Sequence, residues 1–271
     1  MSTNNNALHW FRKGIRLHDN PSFTEACKHS RLFAVYCLDP HFSNAAIVGR
    51  NRYRFLLESL RELDTNLRSM GSRLFVLKGK PHDALIKFSV ENNVNVVTFE
   101  RDTEPYAVKR DKEITDLLKD HGIQTTTYAS HMLRDPEEYI RTCAQRGVNV
   151  PSNYGAFCKL FDSLGPLRSE LAVPESIPSF LSTSASSGSE QDQILSSELY
   201  DVPTLTEMGY EEEEEDAASF TLGGSPFVGG EQEALRRLEA TVTAKSREQW
   251  VRSFEKPNTS PNSLTPSTTV H

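Results

Sequence analysis

The chain has 271 residues, with 30 Lys and Arg against 37 Asp and Glu, a net charge of −7 and a hydrophobic share of 37%. This balance gives nucleic-acid binding no support from charge alone, and the run 211–216 accounts for six of the negative charges. No apolar run reaches the ~18 residues a membrane-crossing helix needs, and residues 1–6 have neither the basic nor the apolar part of a secretory leader. Cys27, Cys37, Cys143 and Cys158 show no CxxC or metal-ligand spacing, so reduced thiols in a nuclear or cytoplasmic protein are expected.

In chain order, short apolar runs alternate with helical patterns, which is the mark of a parallel α/β sheet. The first strand is predicted at 7–11, followed by a helix with Asp19 or Asn20 as its N-cap and Pro21 at its first position. A second strand at 31–38 leads to a helix at 51–68. Its apolar face is read as Phe55, Leu56, Ser59, Leu60, Leu63 and Leu67, with Gly71 as the stop. A strand at 73–77, a helix opened by Pro81 and a strand at 94–99 come next. A helix at 109–120 follows, with Ile114, Leu117 and Leu118 as its stripe, and then a last strand at 125–128. The expected fold is therefore a doubly wound, five-stranded parallel, Rossmann-like sheet over residues 1–167.

In such sheets ligands bind beyond the carboxyl ends of the strands. That rule selects Arg12, Asp39-Pro40, Gly79-Lys80 and the stretch Arg101-Asp102-Thr103-Glu104. With a single glycine after strand one, the Gly-rich dinucleotide fingerprint is missing. His18 and His131 stand in no recognisable triad or metal motif, and Trp10 reads as core.

From residue 168 the pattern dissolves. The Ser-rich stretch 182–189 and the acidic run predict a flexible connector over 168–225. Periodicity returns at 231–245, where Ala234, Leu235, Leu238 and Val242 form one stripe, and residues 226–271 read as the start of an all-helical domain.

Several separated stretches then resemble one family in order. Trp10-Phe11-Arg12-Lys13-Gly14-Ile15-Arg16-Leu17-His18-Asp19-Asn20-Pro21 is similar to the N-terminal signature of the photolyase/cryptochrome family, with Ile15 in a usual leucine place. Gly49-Arg50-Asn51-Arg52-Tyr53-Arg54-Phe55, Asp102-Thr103-Glu104-Pro105-Tyr106, Arg110-Asp111, and Gly229-Gly230-Glu231 with the following Glu233-Ala234-Leu235 also match. The terminal Pro266-Ser267-Thr268-Thr269-Val270 resembles the opening of the flavin phosphate motif, closer to the (6-4) photolyase branch than to the clock cryptochromes.

The resemblance implies a blue-light FAD flavoprotein that repairs UV photoproducts in DNA or, alternatively, a cryptochrome-type photoreceptor and circadian module working through protein partners. No membrane partner is implied. Thr268, Thr269 and Val270 become candidate FAD-phosphate residues, and Asp39, Arg52, Asp102 and Glu104 candidate contacts of a deazaflavin or folate antenna chromophore. Asp102 and Glu104 also suit capping of the next helix. Lys159 and Arg168 could meet DNA phosphates or simply be solvated, and Trp250 reads as an interdomain anchor. Because the family's flavin cup follows the phosphate motif, the chain is expected to be a truncated flavoprotein, inactive alone.

Overall fold

A computed structural model describes residues 5–43, 46–181, 190–210 and 227–240. Among these residues five strands, β1 (Asn6–Phe11), β2 (Arg31–Leu38), β3 (Leu74–Lys78), β4 (Val96–Glu100) and β5 (Gln124–Tyr128), form one all-parallel sheet in the order β3-β2-β1-β4-β5. β1 is central, pairing Trp10 with Val35 on one side and with Phe99 on the other. The chain reverses its direction of travel across the sheet between β1 and β4, which is the switch point of a doubly wound fold.

β1 to β4 are buried on both faces because successive side chains alternate between two cores, while the edge strand β5 is only partly covered. Ala7, Phe11, Leu32, Ala34, Leu74, Val76 and Val96 meet α1 (Pro21–Ala26) and α2 (Arg50–Ser69). Leu8, Trp10, Phe33, Val35, Phe75, Leu77, Val97 and Phe99 meet α3 (Pro81–Glu91) and α4 (Pro105–Asp120). Asn20 is the α1 cap and accepts the Phe23 amide at 3.0 Å, while Asp19 pairs with Arg168.

Two helix faces differ from expectation. α2 buries Tyr53, Leu57, Leu60, Leu63 and Leu67, whereas Phe55 is exposed at a cavity that Leu56, packed against the core, also borders. On α4, Ile114 and Leu118 are buried and Leu117 is exposed. Two helices before the connector have no counterpart among the elements expected from the sequence. α5 (Pro136–Arg146) is capped by Asp135, which accepts the Glu137 amide, and α6 (Tyr154–Asp162) by Asn153, which accepts the Ala156 amide. They bury only Cys143 and Leu160, so their apolar stripes are too thin to stand out.

The described parts of the stretch expected to be a flexible connector are tied to the sheet, contrary to that expectation. Ile177, Phe180 and Leu195 are buried, α7 (Glu190–Ser196) and two 3-10 turns (Glu198–Tyr200, Thr206–Met208) give it local order, and arginines at the amino ends of the strands hold its carbonyls. Arg31 donates to Phe180 O, and Arg73 donates to Leu195 O at 3.0 Å and Ser197 O at 2.8 Å while pairing with Asp201. Composition reports the polar, small residues here; the anchors are single apolar side chains that leave no periodic trace. The last described helix, α8 (Glu231–Leu238), buries no residue of its own.

Candidate functional site

At the carboxyl ends of β1 and β2, walled by α2 and the start of α4, lies a cavity of about 400 Å³. Trp10 forms part of its floor. Residues two apart on a strand share a face, so Arg12 follows Trp10 to the same side, and its guanidinium lies 4.9 Å from the Trp10 ring and 4.8 Å from the Phe99 ring. The Arg110 guanidinium from α4 is also 4.9 Å from the Trp10 ring. The side chains of both arginines are 8% exposed and share one carboxylate: Asp111 Oδ1 is 2.6 Å from Arg12 Nη1 and 2.9 Å from Arg110 Nη2.

Both guanidinium groups meet the same Asp111 oxygen, and its other oxygen, Oδ2, is buried with no hydrogen-bond partner among the described residues. Arg12 Nη2 is buried with no hydrogen-bond partner among the described residues. Burial pulls the Arg12 pKa below its ordinary value, with Asp111 opposing and Arg110 reinforcing that shift.

All four residues predicted as chromophore contacts line this one cavity. Asp39 follows β2, and its carboxylate accepts from Tyr106 Oη at 2.9 Å and from the His41 amide at 3.0 Å. Asp102 follows β4 and accepts the amides of Thr103 (2.7 Å) and Glu104 (3.1 Å). Lys13 Nζ bridges Asp102 at 3.0 Å and Glu104 at 2.9 Å. Burial raises the Asp102 pKa, but Lys13 and the two amides outweigh it and hold the carboxyl below its usual range. Arg52, on the exposed first turn of α2, has no side-chain partner among the described residues.

Of the two roles weighed for Asp102 and Glu104, helix capping has little geometric basis. Glu104 occupies the N-cap position of α4 without making a side-chain capping bond, and Asp102 ties the loop amides just before the helix. Gly14 lets the loop after β1 lie against Glu100, where an added Cβ would sit 3.1 Å from Glu100 Oε2. Its amide donates to that oxygen at 3.2 Å, and Ser130 and His131 face the same carboxylate.

The arrangement fits a flat heteroaromatic ligand. The floor offers a buried guanidinium with an open donor, the rim offers carboxylates for ring N–H groups, and Arg52 adds a free planar fork for an acidic or hydroxyl edge. Trp10 is core, as expected, but it is also floor. The pairing of Arg12 with Arg110 across Trp10 was missed by the sequence reading, although the two-residue spacing of Trp10 and Arg12 on a strand was a usable signal.

The remaining sequence candidates lie elsewhere. Thr268, Thr269, Val270, Trp250 and the run 211–216 fall outside the described residues. Arg168 pairs with Asp19 at 2.6 Å, and Lys159 is on the α6 surface. The four cysteines are free. No group of three metal-ligating side chains converges among the described residues, and no described helix is long and apolar enough to cross a membrane.

Residues 7–173 match the family model described as DNA photolyase. Cryptochrome-1 of Macaca fascicularis is 38% identical over 265 residues, which are 97% of this chain and 42% of that protein. The (6-4)DNA photolyase of Arabidopsis thaliana is 36% identical over 281 residues, 100% of this chain and 47% of that protein. The chain thus spans less than half the length of these relatives. Among solved structures, the cryptochrome of Synechocystis sp. PCC6803 superposes with a TM-score of 0.71 at 22% identity, over 92% of this chain and 48% of the other, a likeness of fold.

Proposed function

Because the chain belongs to the DNA photolyase family, in which cryptochromes and photolyases stand together, we propose that it is the N-terminal portion of a blue-light FAD flavoprotein. In this reading its α/β domain holds a deazaflavin or folate antenna chromophore. The observation that carries the chromophore role is the convergence of Asp39, Arg52, Asp102 and Glu104 on one cavity with an unsatisfied guanidinium at its floor. The chromophore would supply light absorption. The chain's own residues would orient it: Arg52 at an acidic edge, Asp102 and Glu104 at ring N–H groups, Trp10 and its two guanidiniums beneath.

The domain organisation we propose keeps residues 1–167 as the α/β unit, 168–225 as a connector whose described parts wrap the sheet, and 226–271 as the start of the helical FAD-binding part. Thr268, Thr269 and Val270 would contribute hydroxyls and amides to the FAD phosphates. DNA carrying UV photoproducts would be the substrate of the whole protein.

A second reading, a cryptochrome-type signalling module, is favoured by one observation. Phe42 is 49% exposed and Tyr106 38% exposed at the cavity mouth, an aromatic rim suited to a protein side chain as well as to a small molecule.

Fluorescence titration of the purified chain with a 5-deazaflavin and with a methenyl-folate tests the chromophore role. Saturable binding at one per chain, abolished by Arg52→Ala or Asp102→Ala, is expected. Absence of saturation with both ligands would refute it.

A further inference from the structure

The two walls of the cavity come from distant parts of the chain, and a third segment ties them together from behind. On one side is the loop after β1, whose Arg12, Lys13 and Ile15 line the cavity. On the other is α2, which contributes Phe55, Leu56 and Ser59. Glu231 accepts the Leu17 amide at 2.9 Å through Oε2 and the His18 amide at 2.9 Å through Oε1, so one carboxylate holds the end of the loop.

The residues around Glu231 grip α2. The Gly229 amide donates to Glu58 Oε2 at 2.8 Å, and the Gln232 amide donates to Glu62 Oε1 at 2.7 Å. The approach is too close for a side chain: a Cβ on Gly229 would lie 2.1 Å from Phe55 O and 2.5 Å from Ser59 Oγ. A Cβ on Gly230 would lie 1.7 Å from Glu62 Oε2, at a φ of +136° that side chains rarely adopt.

We propose that Glu231 is a positioning residue of the cavity, and that with Gly229 and Gly230 it forms a clasp setting the spacing between the β1 loop and α2. Glu231 does not line the cavity, and α8, which it opens, buries no side chain. The clasp's energetic effect is therefore directed at the two walls and not at a core of its own. Linkage makes the effect reciprocal: whatever fixes the walls also fixes the clasp.

The ligand half of this inference rests on reading the cavity as a chromophore site, whereas the geometric half does not, and one experiment separates them. The chain has two tryptophans, Trp10 and Trp250. In a Trp250→Phe background the emission of Trp10 reports the cavity floor with no ligand present. Glu231→Ala is expected to red-shift that emission and raise its quenching by acrylamide. Glu231→Gln, which keeps one acceptor, should restore part of the change, and Gly229→Ala, acting from the α2 side, should reproduce it. A 5-deazaflavin should bind Glu231→Ala about tenfold more weakly, within the usual range of coupling between sites.

A clasp that merely anchored α8 would speed amide exchange at Leu17 and His18 and leave Trp10 and the ligand unaffected. That result overturns the proposal. If Trp10 responds while the unaltered chain binds no deazaflavin, the positioning role stands and the chromophore reading falls.

Discussion

The two ends of the sheet use arginine in opposite ways. At the amino ends of the strands, Arg31 and Arg73 are saturated by the connector: Arg73 alone meets Leu195 O, Ser197 O and Asp201 while lying 5.3 Å from the Phe75 ring. At the carboxyl ends, Arg12 and Arg110 divide one carboxylate, Arg12 Nη2 goes unbonded, and Arg52 has no side-chain partner. Buried donors are satisfied almost without exception in folded proteins. Arg12 Nη2, buried and unbonded beside a cavity, is therefore a donor that a ligand would satisfy, while the other end shows what the same side chain does when only structure is required.

This contrast is sharpest for Arg73→Ala, the substitution with the largest expected effect. It strands two carbonyls and a partner carboxylate, so chemical denaturation should show a loss of about 3 kcal/mol. Affinity for a 5-deazaflavin should be unchanged. A parallel loss of affinity would mean that the two ends are not independent.

Between the ends, His9 lies fully buried in β1 with Nδ1 2.8 Å from Thr98 Oγ1. Burial first, and then the nearby Arg12 charge, push its pKa down from 6.5 to about 3. The unfolded chain therefore binds the proton more readily than the native one in the window from about 6.5 to about 3. Stability contributed by the neutral ring is complete above that window and is lost as pH falls through it, by at most about 1.4 kcal/mol per pH unit. Urea midpoints at pH 7.5 and 5.5 check this, and a His9→Gln variant should show a flatter dependence. An equal slope in that variant would assign the acid sensitivity elsewhere.

Asp102→Ala removes the acceptor for the Thr103 and Glu104 amides and one partner of Lys13. The expected cost is about 1 kcal/mol by denaturation, the size of a lost loop or cap contact. Arg52→Ala should change stability by no more than about 0.5 kcal/mol, as exposed substitutions do, yet abolish measurable binding of a 5-deazaflavin. A variant that is silent in denaturation and decisive in titration is the outcome that defines the carboxyl end as a site; silence in both would erase the distinction between the ends.

Strands β1 to β4 were legible because burial on both faces demands uninterrupted apolar runs such as Leu32-Phe33-Ala34-Val35, and β5 because its threonines favour a strand. Of the residues that the strand-end rule selects, Arg12, Asp39, Asp102 and Glu104 border one space, and Arg52, which only the family resemblance suggests, borders it too. What escaped were features fixed by pairs of distant residues. The exposed side of α2 meets Gly229 and Gly230, which lie against Phe55, Ser59 and Glu62, roughly 170 positions away in sequence. Phe55 therefore reads as core by periodicity and is partly solvent-facing in the structure. The connector's attachment involves Arg31 and Arg73, whose partners are, apart from Asp201, main-chain carbonyls that carry no residue identity.

The central place of β1 has a consequence for how the protein is made. β1 precedes both of its sheet neighbours, β2 and β4, in the chain, so Ala7 must wait for Val96 before its second edge is covered. At about 5–20 residues per second that delay is on the order of 4 to 20 s. Throughout it the nascent chain displays a hydrophobic strand with an open edge, a surface prone to aggregation. Demand for a chaperone should accordingly peak before β4 emerges and fall once it has paired, with synthesis speed over residues 39–95 setting how long the exposure lasts.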